Sequence, residues 1–291
     1  MGVVVLLDVS SLIYRAFYSG KAHANRLCRS DGLATNAVYG VAMMLNQLKR
    51  DITKEIGNID CFIGCGDSSS CNKYRKNIDS EYKSHRKPCP DGLSHQFSWI
   101  RQLFHVLKIP FIDHDSYEAD DIIATFVEKF KNDNTVVIVS PDKDICQLVG
   151  PSVCVYNAKK KSFLWKEQVS EVYGVAPEHI CIYLSLIGDT ADNIKGVPSV
   201  GPKTAAKIIK DCNGDIYNYN GPKKDLIQNN IAIIEKGLSL TKLQIIEGIN
   251  VESSDLGVSE PDEDGLRDFL VVMEFDVQRF IKMFCNSKDA R

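Results

Sequence analysis

The sequence predicts an α/β protein in which a parallel sheet flanked by helices is followed by a smaller helical region. Short, continuous apolar runs recur through the first half, and such runs suit strands that are covered on both faces. Segments with helical spacing separate these runs, as expected for a parallel sheet with crossover helices. From about residue 169 the strand-like runs stop, and helical patterns joined by loops follow.

Four strands and two intervening helices are predicted in order along the first region. The first strand is "GVVVLLDVSS", which ends in Asp8, and "VYGVAMMLNQLKRDI" has helical spacing. The second strand is "IDCFIGCGD", which ends in Asp67, and "SHQFSWIRQLFHVLKI" is again helical. The third is "TVVIVSPDKD", which carries Asp142 and Asp144 after its apolar run, and "SVCVYNA" is a fourth. Ligands of open α/β sheets bind beyond the carboxyl ends of strands, so these acids are expected at one edge.

The stretch "SYEADDIIATF", residues 116–126, crowds acids at the start of another helix. Glu118, Asp120 and Asp121 precede an apolar pattern that is typical of a buried helix face. The N-terminus of a helix tolerates acids because its dipole offers a small positive field. For Asp121 alone, ordinary helix-start chemistry is therefore an alternative to a functional role.

The region after residue 168 is predicted to be helical. "PEHICIYLSLIGDTADN" is a helix up to Gly188, and "KGVPSVGPKTAAKIIKD" is a turn rich in Gly and Pro that leads into a helix. The remainder is predicted as helices with loops, including an acidic linker near 252–264. We therefore divide the chain into a first domain, 1–168, and a second domain, 169–291.

The composition is that of an ordinary soluble globular protein. The chain has 291 residues, of which 44% are hydrophobic and 25% charged, and its net charge is −3. No apolar run approaches a membrane span and no signal peptide is recognised, so a cytoplasmic protein is expected. The ten cysteines include no CxxC pair, which favours reduced, mostly buried thiols over a zinc site.

The distribution of carboxylates suggests a site for hard cations. Two unit charges about 5 Å apart repel by roughly 3 kcal/mol at an effective dielectric constant of about 20, so converging acids need protons or bound cations. The set contains no His or Cys, which favours Mg²⁺ or Mn²⁺ over zinc. So many acids suggest two ions, which can align a water with a phosphodiester. The candidate metal ligands are Asp8, Asp67, Glu118, Asp120, Asp121, Asp142, Asp144, Asp189 and Asp192.

Two basic stretches, 73–108 and 195–224, lie on either side of an acidic one, 112–144. In the first, "NKYRKNIDSEYKSHRKP" interleaves cations with tyrosines, a pattern that suits phosphate contact and base stacking. Its cations are Lys73, Arg75, Lys76, Lys83, Arg86 and Lys87. In the second, "GVPSVGPKTAAKII" combines a short hairpin with a helix start that carries Lys203 and Thr204, and N–H groups there can bind phosphate. Solvated charged surfaces and an ordinary Gly- and Pro-rich loop are the alternatives.

These motifs together resemble a known family. "LLDVSSLIYRAFYS", "YKSHRKP", "SYEADDIIATF", "IVSPDKDICQL" and "LIGDTADNIKGVPSVGPKTAAKII" occur in the order found in 5′–3′ exonucleases. That family includes the 5′-nuclease domain of bacterial DNA polymerase I and the phage-type flap endonucleases. The resemblance runs from Val3 to about Ile209 and is looser beyond.

The resemblance implies a PIN-like (resolvase-like) nuclease domain followed by a helical domain with a helix–hairpin–helix variant. It implies metal-dependent hydrolysis of DNA at or near a free 5′ end, with 5′ flaps and duplex–single-strand junctions as substrates and no membrane partner. Residues near 70–100 would form a helical arch for a single strand. A free-standing nuclease and an excised domain of a longer protein both fit, and a monomer is expected.

The resemblance also implies roles for individual residues. The first metal group would be Asp8, Asp67, Glu118 and Asp120. The second would be Asp142, Asp144, Asp189 and Asp192, with Asp121 close by. Lys83 would steer the scissile phosphate with Arg86 beside it, Arg15 would lie near the active edge, and Tyr82 would stack on a base. The hairpin, where K⁺ is also expected, would hold duplex DNA through Gly196, Val197, Ser199, Gly201, Lys203 and Thr204.

Three features depart from the family pattern. Val9 follows Asp8 where Gly is usual, and Ser199 stands where the hairpin often has Gly, which makes a positive φ there doubtful. "GDSSSCNKYRK" replaces a segment that usually contains Pro and Phe. None of the departures removes a candidate ligand, so an active enzyme is expected.

Two other functions are compatible with parts of the sequence. A protein that binds branched DNA without cutting it could use the hairpin and the arch, but unpaired acids would repel phosphate if no metal were bound. A PIN-type ribonuclease would share the acidic set, whereas the hairpin and the length of the helical region favour DNA.

Overall fold

A six-stranded sheet forms the centre of the molecule. The computed structural model describes residues 2–19, 27–249 and 260–285. The strands are β1 (Gly2–Asp8), β2 (Cys61–Cys65), β3 (Phe111–Ile112), β4 (Asn134–Val139), β5 (Val153–Asn157) and β6 (Ser162–Leu164). Their spatial order is β3-β2-β1-β4-β5-β6, and all neighbours are parallel except β6, which is antiparallel to β5. The predicted α/β fold with a parallel sheet is confirmed.

Helices cover both faces of this sheet and make up most of the second half of the chain. In the first part they are α1 (Val9–Ser19), α2 (Asn36–Glu55), α3 (Lys73–Ile78), α4 (Ser94–Val106), α5 (Ala119–Phe130) and α6 (Lys166–Tyr173). In the second part they are α7 (Ile180–Ile187), α8 (Pro202–Asp211), α9 (Lys224–Asn229), α10 (Ile231–Thr241), α11 (Glu263–Val272) and α12 (Val277–Phe284). Short 3₁₀ turns lie at Asp144–Leu148, Pro177–His179 and Ile216–Asn218.

The central strand is β1, the most apolar of the predicted runs. Val5, Leu6 and Leu7 are fully buried, because β1 pairs with β2 on one side and with β4 on the other. Its last residue, Asp8, is in register with Cys65, the last residue of β2. This register places a carboxylate at the middle of the carboxyl edge of the sheet.

Different sets of helices pack on the two faces of the sheet. On one face, α5 packs together with the helices of the second half, so that Ile122 and Leu184 belong to one apolar cluster with Leu6 of β1. On the other face, α1, α2 and α4 pack together with α11 and α12, so that Leu7 and Phe280 share a second cluster. The predicted division at residue 168 therefore does not separate two hydrophobic cores.

Several elements were not predicted, and one predicted element differs from its expected form. The helix α1 and the short strands β3 and β6 were missed. The helical arch expected near 70–100 contains only the six residues of α3 and the first turns of α4, whose Ile100 is buried against the sheet. The predicted acidic linker falls partly on 252–259, outside the described residues, and α11 begins within the rest of it, at Glu263.

The cysteines and the helix lengths agree with part of the sequence analysis. No disulfide joins any of the cysteines within the described residues. Four of them are buried, whereas Cys28 and Cys89 are exposed, so the thiols are less uniformly buried than expected. Within the described ranges, no helix combines the length and apolar character that a membrane crossing requires.

Candidate functional site

The predicted acids follow the carboxyl ends of neighbouring parallel strands. Asp8 ends β1, Asp67 follows β2, and Asp142 and Asp144 follow β4. Glu118 occupies the N-cap of α5, where its extended backbone (φ −82°, ψ 165°) begins the helix. The backbone N–H of the next residue donates to Asp67 Oδ1 at 2.9 Å, which brings the start of α5 to this edge.

Two serines that the sequence analysis did not single out hold Asp8 in place. The hydroxyl of Ser11 donates to Asp8 Oδ2 at 2.6 Å, and its backbone N–H donates to Oδ1 at 3.0 Å. The hydroxyl of Ser140 donates to Asp8 Oδ2 at 2.8 Å and accepts the N–H of Asp142 at 3.1 Å. Both serines stand inside quoted motifs, Ser140 directly after an apolar run and Ser11 three residues after Asp8, and these positions are the signal that could have identified them.

Burial, with a smaller contribution from neighbouring carboxylates, raises the pKa values of Asp8 and Asp120. Burial, with a contribution from Asp67, raises the pKa of Asp8 to about 6. Burial, Asp142 and Asp8 raise the pKa of Asp120 well above its usual value, although Lys83 opposes the change. Such a cluster gains stability from a bound cation, which favours the ionised carboxylates.

The strongest indication of a cation site is a group of three carboxylates. Asp144, Asp189 and Asp192 each offer an oxygen, and these oxygens lie within 4.8 Å of one another. Burial, Asp142 and Asp192 raise the pKa of Asp144 well above its usual range. Oδ1 of Asp144 is buried and has no hydrogen-bond partner among the described residues. An unpartnered carboxylate oxygen beside two others fits a divalent cation with oxygen ligands.

This group draws on both predicted domains. Asp144 starts the 3₁₀ turn after β4, whereas Asp189 and Asp192 follow α7 in the second half of the chain. Lys143 lies 3.2 Å from Asp189 Oδ2, and it is a cation that the sequence analysis did not name as functional. The loop after α7 therefore contributes two of the three carboxylates, and the segment after β4 contributes the third.

A turn that carries Tyr82, Lys83 and Arg86 lies against both acidic groups. Lys83 Nζ lies 2.6 Å from Glu118 Oε1 and 3.6 Å from Asp192 Oδ2, and its side chain is only 11% exposed. Arg86 Nη2 lies 2.5 Å from Asp192 Oδ1, with 53% of its side chain exposed. Burial raises the pKa of Asp192, but attraction to Lys83 and Arg86 outweighs it, so that this pKa lies below its usual value.

The position of Tyr82 differs from the predicted stacking role. Its ring is buried, and its hydroxyl lies 2.9 Å from Glu118 Oε2 and 3.2 Å from Asp192 Oδ2. A ring enclosed in this way does not offer a face to a base. The Tyr82 hydroxyl instead lies between two carboxylates, donates its one proton to either of them, and helps to bring Glu118 and Asp192 together.

Asp121 was predicted as a possible metal ligand, but its oxygens already have protein partners. Arg75 donates to both of its oxygens, at 2.5 Å and 2.9 Å. The backbone N–H of Gln244 donates to Oδ1 at 2.8 Å, and that of Glu118 donates to Oδ2 at 3.2 Å. The side chain is fully buried, so the structure corrects this prediction: Asp121 is a structural partner of Arg75.

Two of the predicted DNA contacts are buried, whereas a third predicted residue, Arg15, lies at the carboxyl edge of the sheet, where β5 ends. Arg75 is buried against Asp121 and is not available to a phosphate. Arg15 donates to the carbonyl of Ala158 at 2.8 Å, beyond the end of β5. Val197 is buried, and its N–H donates to the carbonyl of Leu186 at 2.8 Å, so it offers no donor to DNA.

The predicted hairpin joins α7 and α8 through a close backbone crossing. Gly188 has a φ of +75°, and a Cβ at this residue would lie 2.5 Å from the backbone nitrogen of Gly196. Ser199 has a φ of +62°, so the left-handed turn is present although the residue is not Gly. Strain of this kind costs about 1 kcal/mol for a residue with a side chain. A cavity of about 620 Å³ lies beside the hairpin and includes His85 in its lining.

The remaining predicted DNA contacts are accessible for the most part. Lys73, Lys76 and Lys87 are exposed around the turn that carries Lys83. At the start of α8, Gly201 and Lys203 are exposed and Thr204 and Gly196 are half-buried. The exposed residues in these two places are free to meet phosphate groups, and they stay predicted contacts.

The raised pKa of Asp8 predicts how the metal-free protein responds to pH. Its pKa in the folded state is about 6 and its ordinary pKa is 3.8, so well below pH 3.8 the carboxyl is protonated in both the folded and the unfolded state. Between pH 3.8 and about 6 the unfolded state has released the proton while the folded state still holds it, so the free energy of unfolding falls across this window, by about 3 kcal/mol in total. We compare the free energies of unfolding of the wild-type protein and of Asp8→Asn, measured with urea in EDTA. Between pH 4 and pH 7 we expect the wild-type value to fall by about this amount relative to that of the variant. A difference between the two proteins that stays constant with pH would contradict this assignment.

Family comparisons cover nearly the whole chain. The family described as "5′-3′ exonuclease, N-terminal resolvase-like domain" matches residues 3–174. The family described as "5′-3′ exonuclease, C-terminal SAM fold" matches residues 175–264. The two matches meet within a few residues of the predicted division at 168.

Curated relatives include a 5′-3′ exonuclease and DNA polymerases. A 5′-3′ exonuclease of Aquifex aeolicus is 34% identical over 278 residues, covering 94% of this chain and 93% of the relative. DNA polymerase I of Bacillus caldotenax is 38% identical over 213 residues, covering 71% of this chain and 23% of the polymerase. The chain thus matches about a quarter of that polymerase.

Solved structures share the fold at low sequence identity. The bacteriophage T5 flap endonuclease, in a complex with DNA and metal ions, superimposes with a TM-score of 0.63 at 18% identity, covering 97% of this chain and 98% of that one. The catalytic core of Rad2 with a DNA substrate superimposes with a TM-score of 0.59 at 16% identity, covering 97% and 90%. At these identities the comparison establishes the fold alone.

Proposed function

Because this chain belongs to the 5′–3′ exonuclease family, we propose that it hydrolyses DNA phosphodiesters at or near a free 5′ end, including at 5′ flaps. The reaction would depend on Mg²⁺ or Mn²⁺, with two ions held by the carboxylates at the edge of the sheet. The observation that carries this proposal is the group of Asp144, Asp189 and Asp192, in which a buried oxygen of Asp144 has no protein partner in the described ranges.

The donor set fits hard divalent cations. Asp8, Glu118 and Asp144 are carboxylates on rigid elements, and His and Cys are not among the candidate ligands. The chemistry that divalent cations supply at such a site is the alignment of a water with the scissile phosphodiester and stabilisation of the leaving oxygen. Ser11 and Ser140 would keep Asp8 oriented, since they occupy both of its oxygens with hydrogen bonds.

The basic turn would position the phosphate. Lys83 lies between Glu118 and Asp192 and is therefore next to any phosphate that approaches these acids. Arg86, which is more exposed, would receive the phosphate on the solvent side. Fixed cations beside a reacting phosphate stabilise the charge that develops there and lower the barrier.

The loop between α7 and α8 would hold the duplex part of the substrate. The start of α8 presents the exposed Lys203 and backbone N–H groups, which together suit a phosphate of the DNA backbone. The monovalent cation expected at this hairpin remains a prediction. We expect a duplex–single-strand junction to lie between the hairpin and the basic turn, with the protein acting as a monomer.

A cleavage assay on matched substrates tests the proposed function. Duplexes that carry a 5′ flap, a nick or a blunt end are labelled at either the 5′ or the 3′ end and incubated with Mg²⁺, Mn²⁺ or Ca²⁺. We expect the flap to be released as an oligonucleotide in Mg²⁺ and in Mn²⁺, and the products to be sized on a gel. In Ca²⁺ we expect binding without cleavage, and cutting should begin when Mg²⁺ replaces Ca²⁺.

Two outcomes would favour the alternative functions. Tight binding of branched DNA with no cleavage in either Mg²⁺ or Mn²⁺ would identify a binding protein without catalysis. Faster cleavage of an RNA flap than of the identical DNA flap would identify a ribonuclease. The Asp144→Asn protein, purified in the same way, controls for contaminating nucleases.

A further inference from the structure

Arg75 lies in α3, at the beginning of the basic segment, but it does not share the exposure of its neighbours. Its side chain is 3% exposed, whereas Lys73 and Lys76 on the same helix are exposed. A buried guanidinium requires several partners, because its charge and its N–H donors lose their contacts with water. The contacts of Arg75 therefore indicate what the residue does.

Each end of the guanidinium has a defined partner. Nη1 and Nη2 donate to the two oxygens of Asp121, at 2.5 Å and 2.9 Å, in the bidentate arrangement that only arginine can make. Nε donates to the carbonyl of Leu240 at 2.9 Å, near the end of α10. Nη1 also lies 3.2 Å from Glu118 Oε2, which is a candidate ligand of the first metal group.

These contacts fix the position of Glu118 from two directions. The guanidinium attracts its carboxylate directly, and Asp121 accepts its backbone N–H at 3.2 Å. The other oxygen of Glu118 accepts from Lys83, which is expected to turn towards the substrate phosphate. Unlike Lys83, Arg75 cannot move away from the Glu118 carboxylate, because its other donors are hydrogen-bonded to Asp121 and to the carbonyl of Leu240.

The same ion pair joins the site to the second half of the chain. Asp121 Oδ1 accepts the backbone N–H of Gln244 at 2.8 Å, and Arg75 reaches the carbonyl of Leu240. The start of α5, the helix α3 and the segment 240–244 are thus connected by one buried pair. A shift of that segment would move the carboxylate of Glu118.

We propose that Arg75 is a positioning residue that holds the Glu118 carboxylate in place for a divalent cation and connects it to the end of α10. The inference rests on the proposed function for the identity of the cation. It replaces the phosphate contact that the sequence suggested for Arg75. Its role is that of the hydrogen-bonding groups behind metal ligands, which orient those ligands.

The test is the binding of Mn²⁺ to the DNA-free protein, measured by electron paramagnetic resonance or calorimetry. Arg75→Lys keeps the positive charge but cannot bind both oxygens of Asp121 and the Leu240 carbonyl together. We expect Mn²⁺ to bind at least about tenfold more weakly, and kcat for flap cleavage to fall by a similar factor, as for other residues that support metal ligands. KM for the DNA should change by less than about threefold.

A matched control and a second variant accompany this substitution. Arg267→Lys makes the same change in an exposed ion pair with Glu263 on α11, and should leave Mn²⁺ binding unchanged. Asp121→Asn removes the negative charge of the buried pair with Arg75. Like Arg75→Lys, it should weaken Mn²⁺ binding. If circular dichroism shows that Arg75→Lys does not fold, the Mn²⁺ affinity of Asp121→Asn decides the question instead.

The measurements distinguish a role in metal binding from a purely structural role, from a phosphate contact, and from failure of the proposed function. If Arg75→Lys has a lower melting temperature but wild-type Mn²⁺ binding and kcat, the residue only stabilises the fold and the inference is wrong. If Mn²⁺ binding is unchanged and KM rises, Arg75 contacts phosphate and the inference is also wrong. If wild type binds Mn²⁺ but cuts no DNA, the proposed function is rejected, while the comparison of Mn²⁺ affinities still decides the role of Arg75.

Discussion

Replacing Asp144 with asparagine is expected to abolish cleavage of a 5′-flap duplex in Mg²⁺. The substitution keeps the size of the side chain but removes the charge at the centre of the Asp144, Asp189 and Asp192 group. Loss of one preorganised charge at a reacting phosphate site costs on the order of 10³-fold in kcat, and a metal ligand is expected to cost at least as much. Single-turnover cleavage at saturating enzyme measures the effect, and a rate within about tenfold of wild type would reject the assignment.

The same substitution should have the opposite effect on stability in the absence of metal. Burial and the neighbouring acids raise the pKa of Asp144, so its ionised form destabilises the metal-free fold at neutral pH. In EDTA at pH 7 we therefore expect Asp144→Asn to melt at a higher temperature than wild type. Asp121→Asn is a matched contrast, because its carboxylate is paired with Arg75 and its loss should lower the melting temperature. Two variants that shifted in the same direction would contradict this account.

Replacing Lys83 with methionine is expected to slow flap cleavage by about 10²-fold, because one fixed cation beside the phosphate is lost. The apolar stem of the side chain is retained, so the change acts mainly on charge. Lys83 also neutralises Glu118 and Asp192 in the metal-free protein. Without it, divalent cations should bind the DNA-free protein more tightly, which titration with Mn²⁺ can measure.

A control for this experiment lies three residues further along the chain. Arg86→Met removes a cation whose side chain is 53% exposed, so water already screens it and the loss in rate should be smaller. If Lys83→Met cleaves within about twofold of wild type, the residue does not position the phosphate. Weaker Mn²⁺ binding by Lys83→Met would show that its ammonium does not compete with cations.

The fold could be predicted where the sequence pattern was long enough to be distinctive. The apolar runs before Asp8, Asp67 and Asp142 are strands of a parallel sheet, as predicted. The strand Phe111–Ile112 has only two residues, so no alternating apolar pattern can be recognised in it. Nor does an amphipathic pattern specify the surface that a helix covers, so the packing of α11 and α12 on α2 and α4 could not be anticipated.

The candidate site could be predicted as a set of residues but not as a set of contacts. Acids at the ends of parallel strands converge by geometry, which is why Asp8 and Asp142 could be expected at one edge of the sheet. The pairing of Arg75 with Asp121 joins residues 46 positions apart, and no local spacing encodes it. A basic residue among tyrosines looks the same in sequence whether it meets phosphate or a buried carboxylate, so Arg75 was assigned to the wrong partner.

The central position of β1 has a consequence for how the chain folds as it is synthesised. Of the six strands of this sheet, β1 is synthesised before its neighbours on both sides, and its second neighbour, Asn134–Val139, emerges more than a hundred residues later. Until then one edge of β1 is unpaired and its apolar run, residues 3–7, is exposed, which makes the chain prone to aggregation. Such long-range pairing makes folding slow, so expression at reduced temperature or with chaperones should raise the yield of native enzyme.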